Sequence, residues 1–115
     1  MPLTLDGSTG IDFPNGGTHA KAWVNFNGTG TVAIRQSGNV ASITDSGTGD
    51  YNVNFTSPFV DANYAASGTG GGTNRSYVMN KEPTVPPTAS SLRVRTINPG
   101  TSNNDDANVN VVVTR

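Results

Sequence analysis

The sequence predicts an all-β protein: a single antiparallel β-sandwich of about seven or eight strands, jelly-roll-like or immunoglobulin-like in topology, with an extended N-terminal arm. Two observations carry that expectation. Apolar residues alternate with polar or small ones at period two, as strands with one buried face require. Between these runs sit short clusters of Gly, Asn, Ser and Thr, the residues that reverse a chain tightly. No helix is expected anywhere in the 115 residues.

Composition sets the limits. The length gives one domain. Only 33% of residues are hydrophobic and 13% charged, so the core must be thin and the turns many. A chain this polar suggests disorder, but disordered segments usually carry high net charge, and here the formal net charge is -1 and the alternation is regular. With little apolar area of its own, such a unit gains stability by burying a further face in a partner, which points to an oligomer. A pI near 5.5 and seven Lys plus Arg argue against nucleic acid as a partner, which needs a clustered positive footprint. The absence of cysteine removes disulfides, thiolate zinc sites and cysteine nucleophiles together. Met1 is followed by proline and polar residues, unlike a secretory leader. The longest aliphatic run, Val111 to Val113, predicts no membrane insertion.

Residues 1–19 are read as the arm and 20–115 as the sandwich. In the arm, Leu3, Leu5, Ile11 and Phe13 are spaced to lie along a neighbouring surface, while Asp6-Gly7, Thr9-Gly10 and Asn15-Gly16-Gly17 interrupt any long strand. Ala20 to Thr56 holds four strands, expected to form an antiparallel meander with turns at Asn27-Gly28, Ser37-Gly38 and Ser46-Gly47-Thr48-Gly49. Within it Trp23 falls on the polar face, opposite Val24 and Phe26 and beside Lys21 and Asn25. A large aromatic there either packs against the arm or another subunit, or offers a flat surface on which a sugar ring stacks.

A short strand is expected around Asn63 to Ala66, then a mobile glycine loop from Gly68 to Asn74, then a strand over Arg75 to Asn80. Three prolines make Lys81 to Thr88 a crossover. Ser91 to Ile97 alternates Leu92 and Val94 with Arg93 and Arg95, whose side chains are expected on a solvated face. The polar loop Asn98 to Asp106 leads to the last strand, Ala107 to Thr114.

Catalytic chemistry finds little support. His19 is the only histidine and has no nucleophile elbow nearby. Asp45 and Asp50 bracket a glycine turn, where carboxylates ordinarily cap backbone N–H groups. Asp105 and Asp106 offer hard oxygens but lack the spacing of an EF-hand loop. No catalytic residue, metal site or cofactor is expected, and the protein is read as a non-enzyme.

A functional expectation comes from a resemblance. Lys21-Ala22-Trp23-Val24-Asn25-Phe26-Asn27-Gly28 is followed by Val32-Ala33-Ile34-Arg35, Asn39-Val40-Ala41-Ser42-Ile43, Asp45-Ser46-Gly47-Thr48-Gly49-Asp50-Tyr51 and Asn54-Phe55, with Asn63-Tyr64-Ala65 beyond. In that order these segments resemble a C-terminal β-sandwich module of bacteriophage tail fibres and other virion-associated phage proteins. The opening Leu5-Asp6-Gly7-Ser8-Thr9-Gly10-Ile11 is similar to the linker that precedes such modules. The match covers a third to a half of the chain and fades beyond Ser67.

The resemblance implies a non-enzymatic module at a tail-fibre tip or similar virion position, homotrimeric, in contact with other tail proteins and active in host adsorption. The receptor would be a surface glycan or protein. Because the two long polar loops constrain no core, they and the strands beside them are the expected receptor site: Tyr64, Asn74, Arg75, Tyr77, Asn103, Asn104, Asp105 and Asp106. Leu5, Ile11, Phe13 and Trp23 are the candidate subunit-interface residues. The alternative is a carbohydrate-binding module of a secreted glycan-active protein, which would share the sandwich and the exposed aromatics.

Overall fold

The computed structural model describes residues 4–6, 10–12, 20–72, 77–80, 84–100 and 102–115, with side chains from residue 21 onward within those ranges, residue 80 excepted. Among the described residues ten strands follow in chain order: β1 (Thr4–Asp6), β2 (Gly10–Asp12), β3 (Ala20–Asn27), β4 (Ala33–Gly38), β5 (Val40–Gly47), β6 (Asp50–Phe55), β7 (Ala65–Gly70), β8 (Tyr77–Asn80), β9 (Ser91–Ile97) and β10 (Val109–Thr114). In the arm, β1 and β2 pair as a short antiparallel hairpin. The remaining eight strands form two four-stranded antiparallel sheets, ordered β4-β3-β10-β7 and β5-β6-β9-β8. The protein is an all-β sandwich.

Period two places the core between the sheets. Ala22, Val24 and Phe26 of β3 and Val109, Val111 and Val113 of β10 point inward from one sheet. Tyr51, Val53 and Phe55 of β6 and Leu92 and Val94 of β9 meet them from the other. Within the first sheet the two inward rows are in register, with Val109 beside Phe26, Val111 beside Val24 and Val113 beside Ala22. Burying a side chain such as Phe26 or Leu92 stabilises the fold by about 2–3 kcal/mol.

The expected meander is corrected in one respect. The first two strands of Ala20 to Thr56 form one hairpin and the last two another, but the hairpins belong to opposite sheets. Between Gly38 and Val40 the chain steps across the sandwich instead of reversing within a sheet. Asn39 makes the step possible, holding a left-handed backbone (φ 55°) that asparagine tolerates better than most residues. Its side chain fastens the corner: Nδ2 donates to the Lys21 and Ser57 carbonyls, each at 3.2 Å, and Oδ1 accepts from Ser57 N at 2.8 Å. The physical reason for the crossing is coverage. Four strands in one sheet would leave their apolar face bare, whereas two facing hairpins bury Phe26 against Tyr51, ring centroids 5.2 Å apart at 74°.

The glycine stretch also departs from expectation. Gly68 and Gly70 lie inside β7, paired with β10, and are not loop residues. A Cβ on Gly68 would fall 2.7 Å from both the Asn110 carbonyl oxygen and Val78 Cγ1, so the bare backbone is what admits Val78 from the opposite sheet.

Each end of the sandwich has its own closure. At one end Phe55, Phe59 and Tyr64 form an aromatic plug, with Phe55 and Phe59 stacked at 4.7 Å and Tyr64 set edge-on to both. At the other, the loop between β9 and β10 folds over Tyr51 and Gly49.

Candidate functional site

The loop at the second end was expected to be a receptor surface, and most of it is bound into the fold. Asn104 N donates to the Thr96 carbonyl at 3.1 Å, and Thr96 N donates to the Gly49 carbonyl at 2.9 Å. Asp105 Oδ1 accepts from Gly49 N at 2.8 Å and lies 3.1 Å from the Tyr51 hydroxyl. Gly49 has φ 61°, and a Cβ there would lie 2.6 Å from the Thr96 carbonyl oxygen, so close approach and handedness both require glycine. Asp106 is only 1% exposed; its Oδ1 accepts from Asn108 N at 2.9 Å and its carbonyl from Gly28 N at 2.8 Å. Asn103 alone of the four is exposed, bridged through its backbone to Ile97. Burial pushes the Tyr51 phenol up to about 12, helped by the neighbouring Asp105 carboxylate.

The other predicted residues are dispersed. Tyr64 sits in the aromatic plug, its hydroxyl 2.9 Å from the Thr88 carbonyl and 3.0 Å from that of Ser91. Tyr77 stands 61% exposed on the outer face of β8, two residues from the exposed Met79, which lies opposite Arg95. Asn74, Arg75 and Phe13 lie outside the described residues, as does His19, and Leu5 and Ile11 are described as backbone only. The structure therefore brings Asn103 to Asp106 together, holds Tyr64 inside the fold, and leaves Tyr77 on a separate strand face.

Two residues expected in bland roles form an ion pair. Arg93 Nε meets Asp50 Oδ1 at 2.6 Å and Arg93 Nη2 meets Asp50 Oδ2 at 3.0 Å, a two-pronged contact on the outer face of the second sheet. Asp45, by contrast, does cap its turn, accepting from Gly47 N at 3.1 Å. Among the described residues no three of His, Cys, Asp and Glu gather as metal ligands.

The outer face of β4-β3-β10-β7 presents the most distinctive chemistry. Trp23 lies there 39% exposed, between Gly38 of β4 and Val112 of β10, itself 41% exposed. The indole lies across Gly38: a Cβ there would collide with Trp23 Nε1 and stand 2.9 Å from Cδ1. Glycine thus lets the ring lie flat along the sheet. Next to it runs a row of amides. Asn25 Nδ2 donates to Asn108 Oδ1 at 2.7 Å and to Asn110 Oδ1 at 2.5 Å, and Asn110 Nδ2 donates to Thr69 Oγ1 at 3.3 Å. Arg35 reaches across from β4, Nη1 donating to Asn25 Oδ1 at 3.3 Å and Nη2 to the Ala107 carbonyl. Trp23 was legible in the sequence as an aromatic on the wrong face; the amide row was not, because Asn25 meets Asn108 and Asn110 from 83 and 85 positions away.

An open cleft of about 320 Å³ lies beyond the Lys21 end of this face, lined by Lys21, Asn39, Ser57, Pro58, Phe59, Val60 and Arg115. At its rim Arg115 grips Asp61 through two contacts of 3.0 and 2.6 Å. Hydrogen bonding from Arg115 draws the Asp61 carboxyl down to about 2.

The architecture is thus that of a two-sheet β-sandwich module carrying an aromatic-and-amide strand face. No protein-family model, curated protein or solved structure matches the chain.

Proposed function

We propose that this chain is a non-enzymatic recognition module of a bacteriophage virion, at a tail-fibre tip or similar position, that takes hold of host-surface glycan. The observation that carries the glycan reading is Trp23, an indole lying flat and two-fifths exposed beside a row of side-chain amides. A pyranose has the matching character. Its C–H face stacks on an aromatic ring, and its hydroxyls, each donor and acceptor, suit amides that are both as well. The virion placement rests on the resemblance of residues 21–65 to phage fibre modules. Within it the protein is a homotrimer held through the arm residues Leu5, Ile11 and Phe13, with other tail proteins as neighbours, so that Trp23 stays open to receptor.

The same face would equip a free-standing carbohydrate-binding module of a secreted glycan-active protein. Mass in solution separates the two, since a fibre tip is expected as a trimer and such a module as a monomer. The glycan reading is tested by binding of the purified protein to intact host cells before and after enzymatic removal of surface polysaccharide, with Trp23→Ala alongside. Loss of binding in both arms supports it. Undiminished binding by Trp23→Ala sinks it.

A further inference from the structure

We infer that the glycan held on the Trp23 face is acidic, and that Arg35 is the residue that receives its carboxylate. The inference rests on the glycan reading above and adds the class of sugar. The four strands β3, β4, β7 and β10 contain two cations, Lys21 and Arg35, and no aspartate or glutamate. That imbalance stands out in a chain whose formal net charge is -1. The opposite sheet differs, placing Asp45, Asp50, Arg93 and Arg95 on its strands.

Among the described residues no acid pairs with Arg35. Ion pairs among the described residues join Arg93 to Asp50 and Arg115 to Asp61, and Arg35 belongs to neither. Its partners are two neutral oxygens, Asn25 Oδ1 and the Ala107 carbonyl. These contacts occupy two of the five N–H donors of a guanidinium and hold its plane across the strand face. The rest of the fork is free for a planar anion of carboxylate geometry. Asp106 precedes Ala107 in the chain, but its Oδ1 accepts from Asn108 N and among the described residues it forms no ion pair with Arg35.

Spacing supports a saccharide as the anion's carrier. Trp23 and Asn25 are alternate residues on the same side of β3, about 7 Å apart along the strand. Arg35 is anchored on Asn25, so the cation sits about one sugar ring from the indole. A uronic or other carboxylated pyranose could stack on Trp23 while its own or its neighbour's carboxylate meets Arg35. Lys21, exposed two residues to the other side of Trp23, extends the positive field along the same line.

The test uses uronate polymers, namely polygalacturonate, alginate and hyaluronate, each beside its carboxyl-reduced neutral form, with affinity measured by retardation in native gels and by calorimetry. At least one acidic polymer is expected to bind about tenfold more tightly than its reduced form, and the difference should disappear as salt rises from about 50 to about 300 mM. Arg35→Gln should abolish the preference, and Arg35→Lys, which keeps the charge but not the fork, should retain part of it. Thermal melts of both variants separate lost binding from lost folding. Equal binding of every acidic polymer and its neutral form, or an unchanged preference in a folded Arg35→Gln, overturns the inference and leaves the glycan reading intact. Binding to none of these polymers, combined with host-cell attachment that survives polysaccharide removal, overturns both.

Discussion

The hydroxyl of Tyr51 lies 2.9 Å from the Gly28 carbonyl and 3.1 Å from Asp105 Oδ1, so two acceptors compete for one proton at the end of the core. The arrangement ties three distant segments, the β3–β4 turn, β6 and the β9–β10 loop, to a single phenol. It also explains why position 28 is glycine, since a Cβ there would collide with the Tyr51 hydroxyl.

Replacing this phenol should therefore cost stability in two recognisable ways. Tyr51→Phe is expected to destabilise the fold by about 1–2 kcal/mol, because the burial of the ring is kept and the hydrogen bond is lost. The folded phenol titrates near 12 against an ordinary value of 10.0, so the folded state holds its proton more tightly than the unfolded state does. This contribution is complete below pH 10, declines as pH rises, and is gone once the folded phenol has ionised. Urea melts between pH 9 and about 12 should show that decline in the parent protein and lack it in Tyr51→Phe.

Asn39 allows a test that separates backbone handedness from hydrogen bonding. Asn39→Ala should lose about 2–3 kcal/mol, from a left-handed backbone that alanine resists and from the bonds to Lys21 and Ser57. Asn39→Gly restores the handedness and loses only the bonds, so its melt should fall between the parent and Asn39→Ala. Equal melts for the two variants would show that φ at this corner carries no cost.

Gly38→Ala is predicted to act on Trp23 while leaving the fold in place. The new methyl displaces the indole from the sheet, which should shift tryptophan fluorescence, there being one Trp in the chain, and weaken glycan binding at least about tenfold. Far-UV circular dichroism should stay unchanged.

The pair at the rim of the cleft predicts an acid titration. Arg115 holds the Asp61 carboxyl near 2, against an ordinary 3.8, so whatever the contact adds to stability is present above pH 4 and fades as pH falls toward 2. An NMR titration of the Asp61 carboxyl should report the low midpoint in the parent and an ordinary one in Arg115→Gln. The group is exposed, and a midpoint that does not move in the variant would show the contact to be absent in solution.

Assembly can be separated from recognition by truncation. Light scattering should give a trimer for the full chain, a monomer after removal of residues 1–19, and a trimer for Trp23→Ala. A monomeric full chain excludes the fibre-tip assembly. A monomeric Trp23→Ala would place the indole between subunits instead of against a receptor.

The strands were legible because alternation is a local signal. Ala20–Asn27, Asp50–Phe55 and Ser91–Ile97 are close to the segments expected, and Trp23 was recognisable as an aromatic on the polar side. What the sequence concealed depended on partners far along the chain. Gly68 looked like loop because nothing nearby shows that Val78 fills the space above it. Asp50 looked like a turn cap because Arg93, its partner, lies 43 positions away. Asp105 and Asp106 looked like free oxygens for a ligand, and the backbone amides of Gly49 and Asn108, each of which takes one oxygen of the pair's carboxylates, became visible only once the loop was folded against the core.

The pairing of β3 with β10 has a consequence for how the chain reaches this fold. Phe26 lies opposite Val109 and Ala20 opposite Thr114, so the central ladder of one sheet joins segments separated by nearly the whole domain. Such pairings are slow to form, because a long loop must close before any contact rewards it. During synthesis the β5–β6 hairpin can cover Val24 and Phe26 early, but the edge of β3 away from β4 must wait unpaired until β10 leaves the ribosome. A chain stopped before Val109 would leave β3 and β7 with no strand to join them, a condition in which bare edges recruit other molecules.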